Sequence, residues 1–565
     1  QGLALPDTVQ VTAEVTGKDY PGALVIAPPS ALGSSWMKRF GPASTGFASG
    51  WMRLRGARRG PGLLRPSLLG AVLRRAALSP NIRDRLDYSC AVFDPQGQLC
   101  AQAAHIPVHL GSMAYAMADL VQCREWLPGD MVVVNDPFQG GTHLPDVTLI
   151  APVFVDRQCV AFVANRAHHA DIGADSPGSM PIGSRLEQEG LIISPTVLVK
   201  NGEIQSSVLD WISAATHNRA ITQGDFSAQI SANRSGVKRI RELLAGMGIN
   251  AWLSGLRLLN DYAERMAKAA LQELPQGCCE FEDLMDDDGQ GNRDIRLHVC
   301  VTLSAERIGV DFSGTDRQVQ GNINCPLAVT AAAVFYVFRC LMDERTPACA
   351  GSFRLIQLVA PEGCLVNATP PSAVAAGNVE TSSRIVDLVL GALARLIPDR
   401  VVAASQGTMN NLAMGARGQQ GGWDYYETIA GGMGAGQRGG GLHAVQTHMT
   451  NTLNTPVEVL EAAYPLRIRR YALRTGSGGN GRRKGGDGLV REYEFLAPAR
   501  VTLLTERRRH SPWGLLGGSD GLPGENRLNG DIIAAKAALE VESGDRLAIF
   551  TPGGGGFMPA GVCKP

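Results

Sequence analysis

Glycine is the feature of this sequence that most limits how the chain can fold. The chain contains 67 glycines among 565 residues, about 12% against an average near 7%. In the C-terminal part, glycine clusters alternate with short β-forming runs such as EYEFLAPARVTLLTE and DRLAIF. Because glycine tolerates sharp turns and close contact between backbones, this pattern predicts a chain rich in turns and in close backbone approaches.

Two glycine clusters raise the question of phosphate binding. GGMGAG at 431–436 and GSGGNGRRKGGDG at 476–488 would expose backbone N–H groups, and basic side chains accompany the second cluster. Neither lies between a strand and a helix, as a G-x-G-x-x-G fingerprint must, and the sequence has no G-x-x-x-x-G-K-[ST]. Tight turns are the favoured interpretation. We expect TPGGGGF at 551–557 to pack against another domain or chain.

Charge balance and hydropathy argue against two classes of partner. Lysine plus arginine equals aspartate plus glutamate at 53 each, so no overall field attracts nucleic acid or an anionic membrane. Every apolar run is interrupted well before the ~18 residues that suggest a membrane span. The twelve cysteines include no C-x-x-C pair, which favours a reducing, cytoplasmic location.

The spacing of apolar residues predicts an α+β chain with several β-sheets and one long helical stretch. Residues 88–93 and the runs flanking Asp156 and Arg157 are typical of strands, with a hairpin at that pair. Apolar spacing of three and four predicts two helices around GMGIN. We divide the chain into an atypical Arg- and Gly-rich extension over 1–68, disordered or artefactual, a candidate metal-site region over 69–230, a helical segment over 231–274 and a Gly-rich α+β remainder over 275–565.

Five of the ten histidines fall within one window of the sequence. They are His105, His109, His143, His168 and His169. The same window holds Asp136 and Asp146 and is followed by Asp171 and Asp175. Imidazole and carboxylate together suit Zn, Mn or Fe, and the lack of paired cysteines argues against a structural thiolate zinc site. The window therefore predicts a metal centre.

Within the window, the segment GGTHLPDVTLIAPVF places His143 three residues before Asp146, in a turn that precedes a strand. Two side chains at this spacing can converge on one point, and the predicted hairpin returns His168 to the same neighbourhood. A polar turn without chemistry is the alternative. For His105 and His109 we favour a structural role, because AAHIPVHLGSM can line a pocket or brace a loop.

Several longer motifs carry a family resemblance. In chain order they are RRAALSPNIRDRLDYSCAVFD, AQAAHIPVHLGSM, PGDMVVVNDPFQGGTHLPDVTLIAPVF, NRAHHADIG, VDFSGTDRQVQGNINCP, THMTNT, GSGGNGRRKGGDG and FTPGGGGF. Together they resemble the hydantoinase B and 5-oxoprolinase family, which also includes a subunit of acetone carboxylase. The resemblance spans residues 71–560 and implies a multi-segment, mixed hydantoinase B-type fold.

The resemblance also implies roles for individual residues. The divalent metal, Zn, Mn or Fe, would be held by His143, Asp146 and His168, with Asp87 of RLDYS as a further ligand. Apart from the resemblance, we predict catalytic roles for Asp171 and His169. Asp171 is expected to accept the second N–H of a ligating imidazole, as carboxylates near metal sites commonly do.

The implied activity is the hydrolytic half of an ATP-dependent cyclic amidase. A partner, the hydantoinase A-type kinase subunit, would use ATP to phosphorylate the carbonyl of a lactam or hydantoin, and this chain would open the ring within a hetero-oligomer. Two alternatives stay open. One is a subunit of an acetone carboxylase-like, ATP-dependent carboxylase, and the other is a non-catalytic partner of the kinase subunit.

Overall fold

The computed structural model describes residues 66–103, 106–122, 124–417 and 422–559. The predicted extension over 1–68 lies, up to residue 65, outside the described residues, and so does His105. The described part of the chain is built from four β-sheets and nine α-helices, which confirms the predicted α+β class.

The helices lie mainly in the first two thirds of the chain. In order they are α1 Pro66–Ala76, α2 Pro80–Arg83, α3 Pro107–Gln122, α4 Ser206–Ala215, α5 Arg219–Met247, α6 Ile249–Gln272, α7 Leu327–Leu341, α8 Ser382–Leu393 and α9 Val457–Ala463. One turn of π-helix, Gly377–Thr381, leads directly into α8. Among the helices of the described ranges, none combines the length and the apolar character that crossing a membrane would require.

The first sheet contains the histidine-rich window. Its strands are β1 Tyr88–Phe93, β2 Leu99–Gln102, β3 Met131–Val134, β4 Asp146–Val155, β5 Gln158–His168, β6 Thr196–Lys200 and β7 Glu203–Ile204. They pair in the order β2-β1-β5-β4-β3-β6-β7. Helix α5 packs against β4 and β5, and α3 packs against the sheet with Leu110, Met113 and Met117 in a shared core. Because both faces are covered, the inner residues of β4 and β5 are almost all buried.

The second sheet and two helices form the largest core. Its strands are β8 Gly277–Asp287, β9 Arg293–Leu303, β10 Ile308–Asp311 and β11 Ile356–Val359, in the order β11-β10-β9-β8. Helix α8 packs on β8, β9 and α7. Helix α7 in turn meets α3 at Gly111, where an added Cβ would lie 2.5 Å from the Ala332 Cα. This glycine therefore lets α3 lie close against the second core.

The last two sheets are formed by the strands β12 Asn411–Ala416, β13 Trp423–Thr428, β14 Leu466–Arg474, β15 Gly488–Phe495, β16 Ala499–Leu504, β17 Glu525–Leu528, β18 Asp531–Ile533, β19 Lys536–Val541 and β20 Arg546–Phe550. One sheet has the order β13-β12-β16-β19, and the other has the order β14-β15-β20-β17-β18. Strand β13 reaches the first sheet, and Tyr426 on it contacts His168.

The glycine clusters pack against one another. A Cβ added at Gly485 would lie 1.9 Å from the Gly554 carbonyl oxygen, and one added at Gly441 would lie 1.8 Å from the Met433 carbonyl oxygen. Most of these glycines have ordinary negative φ, so their role is close backbone approach more than turning. The loop at 551–557 meets other loops of the same chain, whereas the sequence led us to expect another domain or chain.

The predicted helical stretch is confirmed, with one difference in its length. Two helices flank GMGIN as expected, separated at Gly248, which has a positive φ of 80°. The first begins at Arg219, twelve residues before the predicted start at 231. Asn218 explains the earlier start, because its side chain accepts a hydrogen bond from the Ile221 N–H and caps the helix.

Candidate metal centre

Two of the predicted ligands are direct partners across a pair of antiparallel strands. Asp146 is the first residue of β4, His168 is the last residue of β5, and the ladder pairs them. Side chains at paired positions point to the same face with Cβ atoms about 4.5–5.5 Å apart. The hairpin turn at Asp156 and Arg157, with φ of 48° and 66°, sets this register together with one bulge. The predicted return of His168 to Asp146 is confirmed.

His143 completes the group from the turn before β4. The Asp146 N–H donates to the His143 carbonyl oxygen, which folds the turn back on itself. The His143 Nε2 lies 3.3 Å from the Asp146 Oδ2, and the His168 Nδ1 lies 3.3 Å from the Asp146 Oδ1. One potential ligand atom from each residue lies within 4.8 Å of the others, and all three residues are buried.

Several polar atoms in this group have no hydrogen-bond partner. They are both ring nitrogens of His143, the Asp146 Oδ1 and the His168 Nε2, and all are buried. A buried polar atom without a partner is destabilising by about 1–3 kcal/mol, so such atoms are rare in folded proteins. A divalent cation would satisfy imidazole nitrogen and carboxylate oxygen at once. The three residues therefore fit the predicted Zn, Mn or Fe.

The electrostatic environment favours the protonation states that a metal needs. Burial acts to raise the pKa of Asp146, but His109 and His143 outweigh it and hold that pKa well below its usual range. Burial lowers the pKa of His168, against the opposing effect of Asp146 and Asp87. An ionised carboxylate and a neutral imidazole are the forms that bind metal.

His109 also faces this group, although the sequence favoured a structural role for it. Its Nε2 lies 3.2 Å from the Asp146 Oδ2 and 3.9 Å from the Asp87 Oδ1. Its Nδ1 lies 3.4 Å from the Ser89 Oγ. The pocket-lining interpretation of AAHIPVHLGSM is the one that the structure supports, and membership of the five-histidine window was the signal available in the sequence.

Asp87 lies next to the three residues without joining the compact group. It precedes β1, and its carbonyl oxygen accepts the His168 N–H. Its Oδ2 lies 3.7 Å from a guanidinium nitrogen of Arg85. Asp87 lines the same small cavity as His109, Asp146 and His168. Its carboxylate therefore borders the space between the candidate ligands.

Side chains from distant parts of the chain hold the ligands in place. The Thr142 Oγ1 donates to the Asp146 Oδ2 at 2.6 Å. The Asn378 side-chain amide, which belongs to the π-helical turn, donates to the same oxygen at 3.3 Å. The Tyr426 ring stacks on the His168 imidazole at 4.7 Å. The Arg85 guanidinium in turn lies over the Tyr426 ring, 4.8 Å from its centre. Sequence reasoning missed Asn378 and Tyr426.

The cavity beside the three residues is small. Its volume is about 20 Å³, and Val108, Val379, Met409 and Met449 contribute apolar walls. About 10–15 Å³ is enough for one water molecule. In this conformation the cavity has room for one ion or one water molecule and is too small for an amide ring.

The side chains of His169 and Asp171 direct their hydrogen bonds away from the three residues. The His169 Nε2 lies 3.0 Å from the Gln229 Oε1. The Asp171 carboxylate accepts the Gly173 N–H at 2.8 Å and the His217 N–H. Both residues line a second cavity of about 220 Å³ with Asp225 and other residues. The hydrogen bond expected from a ligating imidazole to Asp171 is not formed, and the catalytic roles stay predictions.

Comparison with known proteins identifies the family. Residues 67–560 match the family described as hydantoinase B/oxoprolinase. The chain therefore belongs to the hydantoinase B/oxoprolinase family, as the sequence motifs predicted.

Three relatives show how this chain compares with full-length proteins. An uncharacterized protein of Methanocaldococcus jannaschii is 40% identical over 86% of this chain and 87% of its own length. The 5-oxoprolinase 1 of Arabidopsis thaliana is 40% identical over 86% of this chain, which spans only 40% of that longer protein. A Pseudomonas protein named as the B-type subunit of a putative D-/L-hydantoinase is 30% identical over 86% of this chain and 87% of its own length.

Two solved structures have the same fold. The ATP-dependent caprolactamase of Pseudomonas jessenii superimposes with a TM-score of 0.81 at 26% identity, over 87% of this chain and 89% of that chain. Nucleotide-free acetone carboxylase superimposes with a TM-score of 0.80 at 17% identity, over 87% of this chain and 74% of that chain. The relationship to acetone carboxylase that the sequence motifs predicted is confirmed at the level of the fold.

Proposed function

We propose that this chain is the hydrolytic subunit of an ATP-dependent cyclic amidase that opens a lactam or hydantoin ring. The observation that carries the proposal is the buried group His143, Asp146 and His168, several of whose polar atoms have no partners within the protein. The names of the relatives support the reaction class, because 5-oxoprolinase, hydantoinase and caprolactamase all denote the opening of a cyclic amide.

The proposed metal site uses His143, Asp146 and His168, with Asp87 as a further ligand from the cavity wall. When bound there, Zn, Mn or Fe would lower the pKa of water and polarise a carbonyl oxygen. The Thr142 hydroxyl and the Asn378 amide both donate to the Asp146 Oδ2 and fix the orientation of the carboxylate. Tyr426 fixes the plane of the His168 ring by stacking.

In this proposal the apolar walls of the cavity exclude water from the site. Val108, Val379, Met409 and Met449 keep bulk water from the polar side chains, which strengthens electrostatic interactions within the site. Because the cavity is smaller than an amide ring, substrate binding requires these side chains to move apart. The His109 Nε2 then borders the space that the ring would occupy, 3.2 Å from the Asp146 Oδ2.

We keep His169 and Asp171 in the proposal as positioning residues. The His169 N–H donates to the Pro145 carbonyl oxygen at 2.8 Å, within the turn that carries His143 and Asp146. Asp171 fixes the following loop through Gly173 and His217.

Asp171→Ala tests that positioning role. The variant is expected to lower the rate of ring opening while metal content measured by mass spectrometry stays unchanged. A loss of metal about 10- to 100-fold would instead support the imidazole-orienting role predicted from the sequence.

ATP would be used by a partner, the hydantoinase A-type kinase subunit of a hetero-oligomer. The Pseudomonas relative is named a subunit, and the sequence contains no G-x-x-x-x-G-K-[ST] phosphate loop. The chain spans 40% of the Arabidopsis 5-oxoprolinase, so the remainder of that protein would correspond to the partner. The cytoplasmic location predicted from cysteine usage stays a prediction.

A carboxylase subunit is the second candidate, favoured by the fold shared with acetone carboxylase. That similarity, at 17% identity, concerns the fold alone. Caprolactamase matches at 26%, and the Arabidopsis 5-oxoprolinase matches at 40%, so ring hydrolysis is better supported. A non-catalytic role as partner of the kinase subunit does not explain why His143, Asp146 and His168 have buried polar atoms without hydrogen-bond partners.

The experiment combines this chain with a hydantoinase A-type kinase subunit. Ring opening of 5-oxoproline, N-methylhydantoin and caprolactam is measured with and without ATP, and metal content is measured by mass spectrometry. We expect ATP-dependent opening of at least one ring and its loss in Asp146→Asn. Asp94→Asn is the matched control and should keep its metal, because the buried Asp94 side chain lies at the end of β1 opposite Asp87 and accepts the Gln96 and Gln98 N–H groups.

Three results would overturn the proposal. Turnover that survives complete removal of metal would exclude the metal centre. Bicarbonate consumption without ring opening would favour the carboxylase. A metal-free complex that only stabilises the kinase subunit would favour the non-catalytic role.

A further inference from the structure

Two cysteines outside the candidate metal centre lie very close together. Cys278 is on β8 and Cys300 is on β9, and their Sγ atoms are 2.9 Å apart. The strands are antiparallel, with Cys278 paired to Thr302 and Cys300 paired to Glu280, so the two cysteines are diagonal neighbours on one face of the sheet. The Thr302 hydroxyl lies 3.7 Å from the Cys278 Sγ and donates to it.

The geometry is close to that of a disulfide. A disulfide bond is about 2.05 Å long, so the two sulfur atoms need to approach by less than about 1 Å. Both side chains are thiols in this structure, with Cys278 exposed and Cys300 half-buried. The adjacent Cys279 faces the opposite side of the sheet and is buried. An oxidant in solution can therefore reach Cys278, and the Cys300 sulfur is already close enough to attack the oxidised Cys278 sulfur.

We propose that Cys278 and Cys300 form a reversible disulfide modification site, oxidised by a peroxide or by a small-molecule disulfide. With hydrogen peroxide, the Cys278 thiolate attacks one oxygen, which gives a sulfenic acid and hydroxide that is protonated to water. The Cys300 sulfur then attacks the Cys278 sulfur, forms the S–S bond and releases the second water. Both thiols are oxidised, and one peroxide is reduced to two waters.

A small-molecule disulfide such as oxidised glutathione gives the same product by exchange. The Cys278 thiolate attacks one glutathione sulfur and releases one glutathione thiol. The Cys300 sulfur then displaces the second glutathione as a thiol. Burial and the contact with Cys278 raise the pKa of Cys300 to about 11. Cys300 is also the less exposed of the two side chains, so Cys278 is the residue that reacts first.

The position of the pair gives the modification a structural consequence. Strand β8 is at the edge of its sheet, since the strand order ends with it. Edge strands are held on one side only, and a disulfide to β9 would anchor the start of β8, which follows α6. Asp283 on the same strand forms ion pairs with Arg384 and Arg507. Oxidation would therefore restrain a strand that also contributes to a buried ionic network.

The test uses the full chain, reduced and freed of reductant, then treated with oxidised glutathione. Peptide mapping under non-reducing conditions should find Cys278 joined to Cys300, with the loss of two hydrogens and of two titratable thiols per chain. Dithiothreitol should reverse the change. The matched controls are Cys278→Ser and Cys300→Ser, and Cys159→Ser tests a half-buried thiol of the first sheet that should leave the reaction unchanged.

Each result supports or overturns the proposal. In Cys300→Ser, Cys278 should stop at a stable glutathione adduct, because the sulfur that would displace glutathione is gone. In Cys278→Ser, Cys300 should react at most slowly. A wild-type chain that stops at the same glutathione adduct, that joins Cys278 to another cysteine, or that keeps all its thiols would overturn the proposal.

Discussion

Two buried groups of charged side chains in this chain differ in how well they are satisfied. The group around Asp146 contains polar atoms without hydrogen-bond partners. The second group lies between the second and third sheets and pairs its charges with opposite ones, as between Arg384 and Glu506 and between Lys536 and Glu506. Its unpartnered nitrogens, such as the Nε atoms of Arg384 and Arg507, belong to guanidinium groups whose other nitrogens are paired. The difference indicates that the first group is suited to binding an ion and the second to holding strands together.

The members of the second group, the ionic network, share partners. Asp283 accepts from Arg384 and Arg507, and Arg507 also donates to Asp387. Burial disfavours each charge separately, so the network is stable only while its partners are all present. The metal-site group lacks such mutual compensation, because both His143 ring nitrogens, the Asp146 Oδ1 and the His168 Nε2 have no hydrogen-bond partner.

The largest effect is expected from breaking the ionic network. Arg384→Gln removes the guanidinium that lies 3.0 Å from Asp283 and 3.3 Å from Glu506. Removing one partner of a buried ion pair is destabilising by about 3–5 kcal/mol, because the other charge stays buried without compensation. We expect this loss in urea unfolding, with metal content per folded chain unchanged. Arg345→Gln, in an exposed pair with Asp343, is the control and should leave stability nearly unchanged, because exposed ion pairs contribute little.

If Arg384→Gln lost metal and kept its stability, the contrast between the two buried groups would be wrong. The same conclusion would follow if Arg345→Gln were as unstable as Arg384→Gln. The two variants therefore test the structural role of the network without reference to catalysis.

The next effect is expected from metal removal. At a free metal concentration about 100 times the dissociation constant, binding stabilises the folded state by about 2.7 kcal/mol. Chelation should remove this amount from the wild-type free energy of unfolding. Asp146→Asn keeps the shape of the side chain but loses its charge, so its stability should not respond to the chelator. A chelator-sensitive Asp146→Asn would mean that the ion binds elsewhere.

The sequence predicted those residues of the site whose positions depend on neighbouring parts of the chain. His143 and Asp146 share one turn, and Asp146 and His168 face each other because a two-residue hairpin turn fixes the register. Those relationships span fewer than 30 residues, within reach of pattern reasoning. The family resemblance supplied the roles, and the fold brings the three residues together.

The missed residues depend on long-range packing. Asn378 approaches Asp146 from 232 residues away, and Tyr426 approaches His168 from a different sheet. His109 reaches the site because Gly111 lets α3 lie against α7, a contact that no local pattern reveals. The glycine clusters were interpreted as turns, although several are required by neighbouring backbones of distant loops.

A smaller effect concerns Glu380, which lies between the two buried groups. Burial raises its pKa to about 7, and the nearby Glu506 adds to this. Its folded pKa is above the ordinary value of 4.5, so the folded state binds more protons and stability falls as pH rises from about 4.5 to about 7. Glu380→Gln removes the titration. We expect little difference from the wild type at about pH 4.5 and a variant more stable by on the order of 2 kcal/mol at about pH 8.

Glutamine suits this position because one oxygen of Glu380, Oε1, accepts from both the Met409 N–H and the Asn411 amide. The measurement is urea unfolding across that pH range. Glu540→Gln, in an exposed pair with Arg500, is the control and should give parallel curves. A Glu380→Gln variant that is less stable than the wild type at the alkaline end would show that the carboxylate is ionised and paired in the folded protein.

The smallest effect separates the two parts of Tyr426. Its hydroxyl donates to the Asn411 Oδ1 at 2.7 Å, while its ring stacks on His168. Tyr426→Phe should lower the free energy of unfolding by about 1 kcal/mol, the usual net contribution of one hydrogen bond, and leave metal affinity unchanged. Tyr426→Leu removes the stacked ring as well and should weaken metal retention in competition with a chelator. If the two variants lost metal equally, the hydroxyl and not the ring would hold the His168 imidazole in place.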